Sequence, residues 1–316
     1  MAWITDDAMA TMNAPEYLIE DILVAGTASA LVSAPGLGKT FLALDMAFCV
    51  AAGVPWHGFK TQRTPVVYIL AEGLGGLRQR VLAWRLDKDI PAGVPVGVWF
   101  WDKAVQLAHF PSRQEFHAEL AKIKPTPQFI IVDTLARCFV GKDENAAGEM
   151  GEFVQGIDTL RGSGATVLVL HHEGVTPGRE RGSTALRGAV DAMMLLSRGE
   201  AETSLVLSSL KQREGEPWDP IELRLRQVEL PDETTSCVVD SAPAVAVATQ
   251  IPAHWAAAVM ALDAFPAGAT SGEWRKATSL SKAAFHRMRR EVLVRGFVSE
   301  GEDGRYRRKE TASGTA

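Results

Sequence analysis

Residues 28–52 read ASALVSAPGLGKTFLALDMAFCVAA, and this stretch decides the fold. ASALVS (28–33) is a short apolar run that predicts a strand, and FLALDMAFCVAA (41–52) predicts a largely apolar, buried helix. Between them lies SAPGLGKT: Ser33, Ala34, Pro35, Gly36, Leu37, Gly38, Lys39 and Thr40. Gly36 and Gly38 let backbone N–H groups approach phosphate oxygens, at a helix N-terminus already biased toward anions. Lys39 is placed to reach β- and γ-phosphates, and the Thr40 hydroxyl to ligate Mg²⁺. The consensus for such a loop opens on Gly; Ser33 departs from it but is small enough to fit. ATP and Mg²⁺ are the cofactors this segment predicts. Phe41, which follows Thr40, and Arg80, in the next predicted helix, complete the set of nucleotide-binding candidates.

Reading outward, VVYILA (66–71), VGVWFW (96–101), FIIVD (129–133) and TVLVLH (166–171) predict further strands, with helices at 77–86, 111–123 and 150–161. Continuous rather than alternating apolar runs suit a parallel sheet covered on both faces. After Asp191 the texture changes to AMMLLS, TSLVLSSLK and IELRLRQVEL, closely spaced strands expected to pair as an antiparallel meander. Asp133 closes its strand as a Walker B carboxylate for the Mg²⁺ shell. The position beside it holds Thr134, where some P-loop classes carry a catalytic Glu. The candidate base is instead Glu72, at the end of VVYILAE, placed to polarise the water that attacks the γ-phosphate.

The chain has 316 residues, 47% hydrophobic and 22% charged, which fits about two folded domains and excludes global disorder. The charge-free stretch 22–38 is laced with Gly, Ser, Thr and Pro, so no membrane span is expected there. The N-terminus shows no basic region followed by an apolar block. Three scattered cysteines form no CxxC pair, which fits a reducing, cytoplasmic setting and argues against a Cys-based zinc site. Net charge is −5, but residues 251–316 carry 11 Lys/Arg against 7 Asp/Glu, leaving −9 on the first 250. A basic tail on an acidic body hints at nucleic acid.

Seven segments together carry a resemblance. LVSAPGLGKTFLAL, YILAEG, IIVDTLAR, DENAAGEMGEF, VLVLHHEG, RGSTALRGAVDA and LKQREGE occur in the order seen in the RepA-type ATPases of plasmids and phages. That group belongs to the hexameric RecA/DnaB-like motors, and the similarity runs over about residues 15–230. The resemblance implies a homo-oligomeric ring, a hexamer, with ATP sites between subunits and a carboxylate base where Glu72 stands. It implies that His172, after His171 at a strand end, senses the γ-phosphate. Lys211 and Arg213 match a KxR element that reaches a neighbouring subunit's site, where an arginine finger is worth roughly 10³–10⁵ in rate; Arg187 is a further basic match. The loops at 136–149 and 173–188 occupy the positions of channel loops that hold single-stranded DNA, with Lys142, Arg179 and Arg181 as phosphate contacts. Phe139 is the one aromatic in them, so base stacking should be modest.

Residues 241–253, SAPAVAVATQIPA, read as a linker, and 311–316 as a disordered tail. Between them, three helices and a hairpin over 254–310 outline a winged-helix-like DNA-binding domain. Lys282, Arg287, Arg289, Arg290 and Arg295 fall on its third helix, and Arg305, Arg307, Arg308 and Lys309 on its wing. The expected fold is therefore α/β. A RecA-like P-loop NTPase core (1–240) has a mostly parallel sheet and C-terminal antiparallel strands, and the winged helix follows. The expected activity is that of an ATP-dependent motor on single-stranded DNA, a phage or plasmid replicative helicase. A recombination or repair ATPase and an ATP-switched DNA-binding regulator are the alternatives.

Overall fold

The computed structural model describes residues 5–11, 14–71, 73–162, 164–174, 184–199, 203–241, 253–294, 297–301 and 303–309. The chain divides into two compact units, Met1–Ser241 and Ala242–Ala316.

The first unit is built around β3 (Ala28–Ser33), every residue of which is buried. Before it come α1 (Asp6–Ala10) and a small antiparallel hairpin, β1 (Tyr17–Ile19) and β2 (Leu23–Val24). After it come α2 (Lys39–Ala52), β4 (Val66–Leu70), α3 (Leu77–Asp87), β5 (Val98–Trp101), α4 (Phe110–Leu120), β6 (Phe129–Asp133), α5 (Ala147–Arg161) and β7 (Thr166–His172). The short helix α6 (Ala185–Ala189) leads into β8 (Ala192–Arg198), β9 (Ser204–Gln212), β10 (Ile221–Glu229) and β11 (Thr235–Ser241). Among the described residues, nine of these strands form one sheet, in the order β11-β10-β9-β8-β3-β7-β6-β4-β5. From β8 to β5 every neighbouring pair is parallel, and from β8 to β11 every pair is antiparallel. The α/β expectation holds, and β8 is the hinge between the two halves: parallel to β3 on one side, antiparallel to β9 on the other.

Each strand presents alternate residues to two cores. Leu31, Tyr68, Ile131 and Leu170 face the side covered by α2 and α3, where Phe48 and Trp84 stack at 4.7 Å. Ala30, Val32, Ile69, Val132 and Val169 face α4 and α5, with Phe116, Phe153 and Leu160. Burial on both faces is why these strands read as unbroken apolar runs.

Three details depart from the sequence reading. The meander has a fourth strand, β11, whose polar TSCVVDS carries too weak an apolar signal to be read as a strand. Ser241 is the last residue of that strand and Ala253 the first of a helix, rather than the two ends of a linker; 242–252, where the rest of the linker is expected, and 311–316, the expected tail, lie outside the described residues. Phe139 is not a loop aromatic free to stack on bases: it is buried and packs edge-on against Phe153 at 5.5 Å.

The second unit contains α7 (Ala253–Met260), α8 (Ser271–Lys276), α9 (Lys282–Val294) and the antiparallel pair β12 (Val298–Glu300) and β13 (Tyr306–Arg308). Trp274 anchors its core, edge-on to Phe285 at 5.2 Å, with its indole N–H donating to the Ala258 carbonyl at 2.7 Å. Thr270 and Glu273 form a capping box at the start of α8. Among the described residues of the chain, no helix is long and apolar enough to cross a membrane.

Candidate nucleotide site

The carboxyl ends of the parallel strands meet in register. Ser33 pairs with His172 across β3 and β7, and Leu70 pairs with Asp133 across β4 and β6. Because β7 lies between β3 and β6, His172 stands between the phosphate loop and the Walker B carboxylate. This edge is where ligands bind in open α/β sheets.

The loop from Ser33 turns into α2 through Gly38, whose φ of 101° suits glycine far better than any residue with a side chain. A Cβ there would also stand 3.2 Å from Leu225 Cδ1, because the Leu225 side chain reaches the turn from β10. No side chain caps α2 at Gly38, and its first turn carries no acidic residue, so its leading N–H groups suit an anion. Lys39 is buried, and its ammonium donates to Ser33 O (3.0 Å), Ser33 Oγ (2.9 Å) and Ala34 O (3.2 Å). Its Nζ also lies 3.4 Å from Nδ1 of His172. Four polar atoms thus hold a cation at the head of the loop, where phosphate oxygens would be its natural acceptors.

Beside it, the Thr40 hydroxyl donates to Asp133 Oδ2 at 2.9 Å, and the Tyr68 hydroxyl donates to the same oxygen at 2.7 Å. Burial, reinforced by the neighbouring Asp133 carboxylate, pushes the Tyr68 phenol well above its ordinary range, so it remains a donor. A hydroxyl and a carboxylate within hydrogen-bond contact form an all-oxygen pair suited to a hard cation such as Mg²⁺. The residues present therefore fit both a nucleotide's phosphates and its metal. Tyr68 was not among the sequence candidates, although a phenol inside an apolar strand must find a polar partner.

A family model described as an AAA domain, AAA_25, matches residues 1–178. The chain belongs to that family. The match spans β3 to β7 and so takes in Lys39, Thr40, Tyr68, Asp133 and His172. The AAA domain of this family is a P-loop ATPase of a kind found in helicase-like proteins, and the parallel sheet with its phosphate loop fits such a core.

The remaining candidates fall in several places around the AAA domain and beyond its matched range. Arg80 lies over the ring of Phe41, 4.9 Å from its centroid, beside the start of α2. Glu72 lies outside the described residues; Ala71 just before it donates its N–H to Asp133 O at 2.9 Å. Lys211 and Arg213 converge on one turn. The Lys211 ammonium donates to the carbonyls of Arg187 (2.7 Å) and Val190 (2.5 Å), and Arg213 to Gly188 O (3.1 Å) and Asp191 Oδ1 (3.1 Å). Burial, aided by Arg213, lowers the Lys211 pKa. This turn is at the amino end of the parallel strands, opposite the phosphate loop.

Lys142 is ion-paired with Glu152 at 2.7 Å on an exposed face. Arg179, Arg181 and Arg295 lie outside the described residues, and Arg287 and Arg290 fall on α9, where their side chains are not described. The wing arginines are already engaged within their own unit: Arg305 with Gly268 O and Glu273, Arg307 with Asp303 and Ala267 O, Arg308 with Asp263. Arg289 donates to Ser271 and lies over the Tyr306 ring.

Proposed function

We propose that the protein is an ATP- and Mg²⁺-dependent oligomeric motor acting on single-stranded DNA, most concretely a RepA-like replicative helicase of a phage or plasmid. Lys39 would exchange its loop carbonyls for phosphate oxygens, and Thr40 and Asp133 would hold the metal. Mg²⁺, when bound, neutralises charge on the β- and γ-phosphates. Glu72 would accept a proton from the attacking water, and His172, next to Lys39, would respond to loss of the terminal phosphate.

The observation that carries the oligomeric part is the placement of Arg213. Its N–H donates to Asp191 O, and Asp191 N–H donates to Ala28 O, at the first residue of β3. Ser33 is five residues further along that strand, about 16 Å at the usual rise per residue. Arg213 is thus too far from its own phosphate loop to stabilise a transition state there. If it acts as a finger, it acts on another subunit. The four-strand antiparallel extension would carry that element outward, and the second unit, three helices and a hairpin, would serve as a winged helix contacting duplex DNA. That second unit also favours a second reading, an ATP-switched DNA-binding regulator, since a translocating ring does not require it.

Strand displacement with ATP on 5′- and 3′-tailed forks tests the proposal. Unwinding of one polarity that is abolished by Lys39→Ala is expected. A site-specific duplex footprint without unwinding would favour the regulator, and single-strand filament formation without unwinding a recombination or repair ATPase.

A further inference from the structure

Asp45 lies on α2 and is buried, its side chain 5% exposed. Its Oδ1 accepts the Trp84 indole N–H at 2.9 Å, and its Oδ2 lies 3.0 Å from Nε2 of His57, in the segment between α2 and β4. The other ring nitrogen, His57 Nδ1, lies 3.0 Å from the hydroxyl of Ser241, the exposed last residue of β11. His57 and Ser241 are 184 positions apart in the chain, so only the fold brings them together.

Each of these bonds fixes the next. A carboxylate only accepts, so in the neutral imidazole Nε2 carries the proton and Nδ1 presents its lone pair. The Ser241 hydroxyl therefore donates to Nδ1. A serine on the free nitrogen of a histidine whose other nitrogen is held by a buried carboxylate is the signature of an activated nucleophile. The imidazole is firmly placed: His57 sits at φ 45°, in the left-handed region, and the Trp56 ring meets it edge-on at 4.9 Å. Residues persist in that region only where their surroundings over-determine them. Stability does not ask for the third member, since Trp84 and His57 already give Asp45 its partners and an exposed hydroxyl can bond to water.

Asp45, His57 and Ser241 line one cavity of about 410 Å³, within the size range of small-molecule sites. Lys88 lines it too, ion-paired with Asp87 at 2.9 Å, and brings positive charge to a wall where an oxyanion could form. The geometry points to a second catalytic site, independent of the nucleotide reading: Ser241 as nucleophile, His57 as general base and Asp45 as its positioning residue, hydrolysing small carboxylic esters.

The chemistry balances with water as the only co-reactant. Ser241 Oγ adds to the ester carbonyl carbon while its proton passes to His57 Nδ1, and the Nε2 proton stays with Asp45. Collapse of the adduct breaks the ester C–O bond, and Nδ1 gives its proton to the departing alkoxide. That leaves an alcohol and an acyl group on Ser241. Water then adds to the acyl carbon, its proton going to Nδ1. The bond from carbon to Oγ breaks, Oγ takes the proton back, and the acid is released. Nothing is oxidised or reduced.

The test uses the full chain with a fluorophosphonate probe, whose phosphorus an activated serine attacks with loss of fluoride, and with p-nitrophenyl acetate as ester. Mass spectrometry should map the adduct to Ser241 in folded protein and find none there in urea. Ser241→Ala should lose the adduct and lower ester turnover at least about tenfold. Asp45→Asn keeps the size of the side chain and an oxygen for Trp84, but its amide donates to Nε2 and moves the imidazole proton to Nδ1. It should slow labelling of Ser241 about 100-fold or more, an effect that a merely structural contact would not produce.

Folded wild-type protein that leaves Ser241 unlabelled would overturn the assignment. So would ester turnover unchanged in Ser241→Ala, or labelling at the wild-type rate in Asp45→Asn. Should Asp45→Asn fail to fold, the wild-type and Ser241→Ala measurements decide the matter without it.

Discussion

Replacing Tyr68 with Phe removes one hydroxyl from the centre of the site and leaves the packing of a fully buried ring in place. The lost contact is the 2.7 Å bond to Asp133 Oδ2, which keeps its second donor in Thr40. A hydrogen bond to a charged group contributes about 1.5–3 kcal/mol, so the variant should be less stable by about that amount at pH 8. For a unit of this size each kcal/mol moves Tm by about 2–4 °C, giving a fall of about 3–12 °C. The pH dependence follows from the raised phenol pKa. A group whose folded pKa lies above its unfolded value contributes stability that is complete below the unfolded pKa, about 10 for tyrosine, and is lost above it. The wild-type advantage over Tyr68→Phe should therefore be full at pH 8 and shrink as pH rises past about 10. Urea unfolding of both proteins at pH 8, 9.5 and 10.5, with unchanged m-values, measures this directly. A difference below about 0.5 kcal/mol at pH 8, or a gap that widens with pH, would refute the geometry.

Lys39→Ala should bind ATP poorly and lose hydrolysis while keeping its far-ultraviolet circular dichroism, whereas Glu72→Gln should bind ATP normally and lose only hydrolysis; equilibrium binding and steady-state turnover separate the two. Gly156→Ala should destabilise the first unit by about 3 kcal/mol or more, because a Cβ there would stand 2.3 Å from the Leu107 carbonyl oxygen, a backbone atom that cannot step aside; urea unfolding measures it. Arg213→Ala should lower turnover and spare nucleotide affinity, and mixing it with Lys39→Ala should restore some activity once subunits exchange, since only mixed interfaces join an intact loop to an intact arginine. Ending the chain after Ser241 removes the basic second unit; duplex affinity at two salt concentrations should fall and lose part of its salt dependence, while single-strand stimulation of hydrolysis persists.

Some parts of the site were legible because local chemistry specifies them. A glycine-rich turn between an apolar strand and an apolar helix has few uses other than holding phosphate, and an aspartate ending a buried strand in the same chain points to the metal. The sheet was legible for a related reason: strands buried on both faces must be apolar throughout, and helices between them must carry an apolar stripe. Strand β11 was missed because its Thr, Ser and Asp residues lie on an edge half open to water, so the pattern that marks a buried strand is absent. For the wing arginines sequence shows the charge but not the carboxylates and carbonyls that the charge finds on folding, here Asp263, Glu273, Asp303 and the turn at 267–268.

What the sequence determined by itself was the set of groups suited to phosphate and metal, because Lys39 and Thr40 are fixed relative to one another by a single turn of helix. What only the tertiary structure decided was everything set by strand order. Inserting β7 between β3 and β6 brings His172 to Lys39, and pairing β4 with β6 delivers Tyr68 to Asp133. Running β9 antiparallel to β8 carries Lys211 and Arg213 to the amino end of the parallel strands, away from the phosphate loop. Strand order and direction are set by which apolar faces pack together across more than a hundred residues of chain, and no local pattern encodes that choice.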